Sequence, residues 1–183
     1  INAAKKVLAA SVLREQAEEN ADPDARISLL LDRARILAAA GEPGARAVEA
    51  YEDVLALRPD HPEALGELAA LLEKEGRHED LLALLTRSVE LTSDRREVAN
   101  LHLQAGRLLL DAIGDPDRAL ERFRSALFSC EDHYEALHAL AATSRELGRT
   151  ETLVEALAKL KDVEEDADRR IAIHLELAGV FEE

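Results

Sequence analysis

The chain has 183 residues, of which 47% are hydrophobic and 33% are charged, so it is long and apolar enough to bury a core. Its formal net charge of −15 at pH 7 argues against nucleic-acid binding and against anionic membrane surfaces, because both are held by basic side chains. Aromatic residues make up only 3% of the chain, and Leu and Ala supply most of the apolar side chains, which favours helices over strands.

The cellular setting is indicated by a few further features. The single cysteine, Cys130, excludes an internal disulfide framework and fits a reducing, cytoplasmic compartment. No apolar run approaches the ~20 residues that cross a bilayer, so no membrane insertion is expected. The chain begins at Ile1 without a signal peptide, and we interpret it as a fragment of a longer protein. Arg accounts for 18 of the 23 basic residues, which favours a bacterial genome of high GC content.

The periodicity of the apolar residues predicts ten helices. In chain order these span residues 3–20, 24–40, 45–57, 62–75, 78–92, 95–112, 117–130, 134–147, 150–163 and 168–182. Asp60 and Asp132 each precede a Glu by three residues and are expected to cap the helices that follow, as Asp115 is. Gly76 and Gly148 are expected to end helices in the left-handed conformation, which glycine adopts most easily.

The sequence repeats itself with an offset of 72 residues. The segment 61–65 returns at 133–137 with four of its five residues unchanged, including the histidine in first place. Each unit divides again, because small residues recur at intervals of 35, 37, 35 and 37; they are Ala34, Ala69, Gly106, Ala141 and Ala178. Small residues let paired helices approach closely, so a bulky residue at Ala69 or Ala141 is expected to overpack the hairpin.

This pattern resembles the tetratricopeptide repeat, in which a small residue follows Leu on the first helix and Ala precedes a large residue on the second. The matching residues include Leu68-Ala69, Leu140-Ala141, Ala47, Tyr51, Ala119, Phe123, Leu177-Ala178 and Phe181. The resemblance implies an all-α fold, a right-handed superhelical α-solenoid of antiparallel helix hairpins. It divides one array at 1–183 into a half-repeat at 1–20, repeats at 24–59, 60–93, 95–131 and 132–164, and a half-repeat at 168–183.

No residue stands out as catalytic, cofactor-binding or metal-ligating, so no cofactor is expected and the chain is not expected to be an enzyme. His61 and His133 differ by 72 residues and therefore belong to different repeats. No pair of histidines has the i, i+4 spacing of a helical zinc site. Cys130 lacks the oriented base and third group that activate a catalytic thiol.

In the tetratricopeptide family the first helix of each hairpin lines a concave groove that binds peptides. On this resemblance the candidate groove residues are Leu31, Arg35, Leu103, Arg107, His138 and Arg145. Arg35 and Arg107 recur at the 72-residue offset, each four residues after a Leu that is expected to be exposed, and Arg can bind carboxylates with two parallel hydrogen bonds. The alternative is that these arginines pair with acidic side chains on adjacent helices.

The expected function is a scaffold that binds a protein or peptide partner in the groove, without nucleic acid, and with an oligomeric state that the sequence does not fix. The alternatives are a structural or self-association module, or the regulatory arm of a larger multidomain protein. Some members of the tetratricopeptide family bind the C-terminal tails of chaperones through Lys and Asn side chains. Gly66 and Ala70 occupy those positions here. We therefore do not expect chaperone-tail binding.

Overall fold

The computed structural model describes residues 3–40 and 44–180 and contains only helices and their connections over those residues. The helices are α1 (Ala3–Glu19), α2 (Pro23–Ala40), α3 (Ala45–Leu57), α4 (Pro62–Lys74), α5 (His78–Leu91), α6 (Arg95–Leu108), α7 (Pro116–Ser129), α8 (Tyr134–Glu146), α9 (Thr150–Val163) and α10 (Ala167–Val180). Their bounds lie within two residues of the predicted ones, except at the end of α6. The predicted end of the last helix and Phe181 lie outside the described residues. None of the described helices is long and apolar enough to cross a membrane.

The helices belong to two compact units, and the boundary between Leu84 and Leu85 falls inside α5. In the first unit α1 packs against α2, α2 against α3, and α3 against α4. In the second unit α6 packs against α7, α7 against α8, α8 against α9, and α9 against α10. Connections of a few residues make sequential helices antiparallel neighbours. The predicted all-α fold of tetratricopeptide-like hairpins is therefore confirmed, whereas the single array with the stated repeat boundaries stays a prediction.

Each unit has a core of aliphatic side chains centred on one aromatic residue. In the first unit Tyr51 of α3 is buried beside α2 residues such as Leu30 and Leu37. In the second unit Phe123 of α7 is fully buried, as is Leu137. Burying one such side chain contributes roughly 1.5–3 kcal/mol, so these contacts rather than helix propensity hold the hairpins together.

The small residues at the predicted hairpin positions divide into two groups. Ala34, Gly106 and Ala141 are buried, as close helix packing requires. The expectation for Ala69 and Ala178 is wrong, because Ala69 is only half-buried and Ala178 is exposed. The core-facing side of α4 is instead formed by its neighbours along the helix, Ala64, Leu68 and Leu72.

The predicted helix caps are partly correct. Asp115 accepts a hydrogen bond from the first turn of α7, as expected. The expectation for Asp60 and Asp132 is wrong, because the next residues, His61 and His133, hold the capping position. The Nδ1 atom of each histidine accepts the main-chain N–H three residues further on, at 3.3 Å in both helices. Gly76 and Gly148 have φ values of 67° and 63°, which confirms their left-handed conformation.

A π-helical turn, Leu109–Ile113, follows α6 and was not foreseen in the sequence. Gly114 ends it with φ 78°, and the Asp115 N–H reaches back to the Leu109 carbonyl over 2.8 Å. A π turn holds one more residue per turn than an α-helix and changes the direction of the side chains around it. Leu110 and Asp111 take their positions from this turn.

Substitution of Gly106, which contacts Phe123, tests how closely the helices of the hairpin pack. A Cβ added at Gly106 would lie 2.3 Å from Phe123 Cε1, and that ring is enclosed in the core. We expect Gly106→Ala to lower the free energy of unfolding by ~1–3 kcal/mol, measured by urea denaturation, because the buried ring or the backbone of α6 would have to shift to accommodate the added methyl group.

Gly66→Ala is the matched control, since a Cβ at this mid-helix glycine would meet nothing within 4 Å. Relief of the glycine entropy should stabilise that variant by ~0.5–1 kcal/mol. Equal stabilisation of both variants would show that the helices do not need glycine at position 106.

Candidate protein-binding groove

Arg35 of α2 is held by two carboxylates from α4 in the first unit. Its Nε lies 3.0 Å from both carboxylate oxygens of Glu67, and its Nη2 lies 2.7 Å from Glu67 Oε1 and 2.7 Å from Glu63 Oε2. The Tyr51 hydroxyl donates to Glu67 over 3.1 Å. These hydrogen bonds, led by the one from Arg35, lower the pKa of Glu67, whereas burial is the main reason that the pKa of Tyr51 is raised.

Of the two interpretations left open for Arg35, the structure supports pairing with acidic neighbours. Its guanidinium already has two anionic partners within the first unit. Leu31 was expected to be exposed beside Arg35. That expectation is wrong, because only 6% of its surface is accessible. It faces the α2–α3 packing and not solvent. The role of both residues in partner binding stays a prediction.

Arg107 occupies the same place in the second unit, 72 residues after Arg35, and its environment is different. It is exposed on α6 and forms no hydrogen bond or ion pair with any residue in the described part of the chain. The cause is visible in the sequence, since Ala139 stands where the first unit has Glu67, and Phe123 stands where it has Tyr51. Leu103, like Leu31, is buried, with 5% accessible, so the expectation that it is exposed is also wrong.

An open groove of about 470 Å³ lies beside Arg107 in the second unit. Its walls come from α6, the π turn, α7 and α8. The lining residues are Arg107, Leu110, Asp111, Phe123, Tyr134, Glu135, His138, Ala139, Ala142 and Thr143. Its lining combines apolar side chains with both acidic and basic ones, which is the composition of a site for a peptide rather than for a bare ion.

A second recess of about 230 Å³ adjoins this groove between α8, α9 and α10. His138 and Ala142 line both spaces, so the two form one continuous surface, called here the second-unit groove. Arg145 lies on the recess wall, and its Nε donates to Glu176 of α10 over 2.6 Å. That hydrogen bond is the main reason that the pKa of Arg145 is raised.

Tyr134 organises the polar side chains between the groove and the recess. Its hydroxyl donates to the carboxylate of Glu164 over 2.7 Å, which lowers the pKa of Glu164 and raises that of Tyr134. Because the only hydroxyl proton is used there, His138 Nε2 acts as donor to the same oxygen, 3.1 Å away. The two rings also meet edge to face, with their centroids 4.9 Å apart. His138 is thereby fixed in the wall of the groove.

The six candidate residues of the sequence are therefore not equivalent. Arg107 and His138 line the groove together, and His138 and Arg145 line the recess. Leu31 and Arg35 lie in the first unit. The sequence analysis did not identify Tyr134, Glu135, Asp111 and the α10 residues Ile173 and Glu176. Comparing the two units position by position would have revealed part of this site, because Glu67 becomes Ala139.

Metal-binding and thiol chemistry find no support in the geometry. Within residues 3–40 and 44–180, no three His, Cys, Asp or Glu side chains converge on a point that could hold a metal ion. His133 is buried and donates from Nε2 to Asn100 while its other nitrogen caps α8. The Cys130 thiol donates to Asp132 over 3.0 Å, which raises the pKa of the thiol and so disfavours a reactive thiolate.

Comparison with known proteins agrees with the helical hairpins and their spacing. The family model of the tetratricopeptide repeat matches residues 64–99, which comprise most of α4, all of α5 and the start of α6. The chain therefore contains a tetratricopeptide repeat at residues 64–99. No protein of curated function matches the sequence.

Solved structures of MamA share the fold. A crystal structure of MamA has a TM-score of 0.56 at 18% identity and covers 85% of this chain and 86% of that one. A second MamA crystal structure has a TM-score of 0.55 at 16% identity and covers 91% and 94%. MamA from residue 41 onwards, from Desulfovibrio magneticus RS-1, has a TM-score of 0.51 at 19% identity and covers 87% and 97%. At these identities the likeness establishes the tetratricopeptide fold and nothing more specific.

The Arg35–Glu67 pair should contribute modestly to stability and only above acidic pH. We expect Glu67→Gln to lower the free energy of unfolding at pH 7 by ~0.5–1 kcal/mol, since the pair is partly solvent-exposed. The folded-state pKa of Glu67 is depressed, so its stabilisation is complete above the unfolded-state value of about 4.3 and is lost as the pH falls through the folded-state value. Urea titrations should therefore show a larger difference between wild type and variant at pH 7 than at pH 3.

Glu73→Gln provides the control on the same helix. Glu73 is exposed, and its side chain pairs with no other residue that the structure describes. It removes the same charge without removing a partner of Arg35. A loss of stability as large as that of Glu67→Gln would mean that net charge, and not the pair, is responsible.

Proposed function

We propose that the chain is a protein-interaction scaffold without catalytic activity, and that it binds a peptide or protein partner in the second-unit groove. The tetratricopeptide fold supports the general role, since stacked helix hairpins present extended surfaces to other proteins. The observation that carries the specific proposal is the second-unit groove, lined by α6, α8 and α10, in which the side chain of Arg107 pairs with no residue that the structure describes. In the first unit the corresponding arginine is already occupied.

The dimensions and side chains of the groove suit a helical or extended peptide. Arg and Tyr are among the residue types that most often dominate binding energy, and here Arg107 and Tyr134 both line the groove together with apolar side chains. Amphipathic peptides bind such grooves by placing one apolar face against the floor. With a net charge of −15, the chain is proposed to bind neither nucleic acid nor anionic membranes. We also propose a cytoplasmic location.

Filling the groove should abolish binding of its peptide ligands. Ala142 is exposed and lines both parts of the groove, so Ala142→Arg would place a long side chain across it. We expect peptides selected on the wild-type chain from a random display library to bind Ala142→Arg at least about tenfold more weakly, which is ~1.4 kcal/mol. Fluorescence polarisation with the labelled peptides measures the change.

Ala56→Arg is the control, because Ala56 is an exposed alanine on α3 that does not line the groove. It should bind the selected peptides as the wild type does, and both variants should keep the wild-type circular dichroism spectrum. Unchanged affinity of Ala142→Arg, or a library without any binder, would exclude the groove as the binding site.

Self-association is a second candidate function, favoured by exposed apolar side chains on α10. Leu175 is 69% exposed, whereas Leu103, its equivalent 72 residues earlier on α6, is buried in the packing against α7. A second copy of the chain could cover Leu175 and the neighbouring Ile171. Light scattering should then report a mass that rises with concentration and that Leu175→Lys abolishes, while Phe128→Lys at another exposed position leaves it unchanged. A monomer at every concentration would rule this candidate out.

A further inference from the structure

We propose that Arg107 binds a glutamate side chain of the partner, in the place that Glu67 fills for Arg35 in the first unit. This inference rests on the proposed binding function of the second-unit groove. It assigns the chemistry of one part of the ligand, namely a side-chain carboxylate with an apolar neighbour. The first unit serves as a template for the second, because the two sequences are related by the 72-residue offset.

The first unit shows what an arginine at this position of the hairpin can hold. Arg35 receives the Glu67 carboxylate through Nε and Nη2, at 3.0 Å and 2.7 Å, in the side-on geometry that gives Arg its preference for carboxylates. Its Nη2 holds Glu63 at 2.7 Å at the same time. One arginine on the first helix therefore accommodates two carboxylates that come from the next first helix.

The second unit keeps the arginine and one carboxylate and lacks the other. Glu135 corresponds to Glu63 and lines the groove with Arg107, whereas Ala139 replaces Glu67. The change from Tyr51 to Phe123 removes the hydroxyl that donated to Glu67, so the internal partner and its donor are lost together. What remains is an exposed guanidinium beside open space, with the side of the arginine that Glu67 would cover facing the small Ala139.

The charges around Arg107 permit a ligand carboxylate. Asp111 and Glu135 are the acidic residues that line the groove with it, and His138 is the other basic one. Glu135 does not exclude a second carboxylate, because Glu63 and Glu67 share Arg35 in the first unit.

The surface next to Arg107 defines the neighbouring ligand residue. The π turn places Leu110 in the groove wall, and Phe123 and Ala142 continue this apolar surface. A peptide that presents a Glu to Arg107 would therefore lay an adjacent aliphatic side chain on Leu110. The ligand class is an acidic–aliphatic sequence within a chain, and a free C-terminus is not required.

The probe for this site is the blocked dipeptide acetyl-Glu-Leu-amide, with acetyl-Gln-Leu-amide as its uncharged counterpart. Titration followed by ¹⁵N NMR at the Arg107 Nε–H should shift that signal with the Glu peptide and, at equal concentration, at least about fivefold less with the Gln peptide. Equal shifts with both peptides would overturn the carboxylate assignment.

An internal glutamate should compete with the ligand. Ala139→Glu recreates the residue that the first unit carries at this position, and we expect it to weaken acetyl-Glu-Leu-amide binding at least about fivefold. Phe128→Glu is the matched control, since Phe128 is 92% exposed, does not line the groove, and adds the same charge to the same unit. Undiminished binding by Ala139→Glu, with a wild-type circular dichroism spectrum, would overturn the proposal.

The reciprocal change should create a second site. The double variant Tyr51→Phe, Glu67→Ala gives the first unit the residues of the second, and the Nε–H signal of Arg35 should then respond to the Glu peptide as that of Arg107 does. Failure of that response alongside a normal Arg107 response would show that Arg107 does not bind through the geometry taken from Arg35.

Failure of this inference is distinguishable from failure of the proposed function. If the peptides selected on the groove lose affinity with Ala142→Arg but keep it when each of their Glu residues is changed to Gln, the groove binds partners without a carboxylate contact. If Ala142→Arg leaves binding intact, the groove itself is not the site.

Discussion

The structure depends on how closely the two helices of a hairpin can approach each other. In the second unit this approach is set by one contact, in which the ring of Phe123 lies directly over the backbone of Gly106. A hairpin of this kind has no sheet or disulfide to hold it, so close packing of a large side chain over a small one supplies its cohesion. The first unit solves the same problem with Ala34 and Tyr51, both buried.

These two solutions have different consequences for the surface. Tyr51 is long enough to bring a hydroxyl to Glu67, and that carboxylate in turn holds Arg35, so a core residue and a surface arginine are connected through one hydrogen-bonded chain. Phe123 ends within the core and offers no hydroxyl to a carboxylate at position 139. In the second unit the hydroxyl and the carboxylate are both lost, so the core residue is no longer connected to the surface arginine by hydrogen bonds. The surface arginine is therefore available to a partner.

The groove also shows how a helical repeat can acquire a binding surface with little new structure. Its floor consists of the alanines that face outward on α8, and its polar residues are held by neighbours on adjacent helices, as His138 is by Tyr134. Side chains fixed in this way lose little further freedom on binding, which favours affinity. The π turn adds Leu110 and Asp111 without any insertion relative to the first unit.

The sequence by itself determined the helices, their order and their pairing, because apolar periodicity and the 72-residue offset are properties that neighbouring residues carry along the chain. It also indicated Arg107, His138 and Arg145, which line the groove, since the first helices of such hairpins carry the outward-facing positions. Only the tertiary structure decided which arginine is occupied and which is not.

Whether an arginine is paired depends on side chains far apart in sequence, such as Arg35 and Glu67, because no local sequence pattern fixes the distance between them. The burial of Leu31 and Leu103 was misjudged for the same reason, since the facing helix and not the local sequence determines which side of α2 or α6 is covered. The π turn also escaped prediction, because the residues Leu109–Ile113 are ordinary helix formers and the turn is set by the packing and the Gly114 end that follow them.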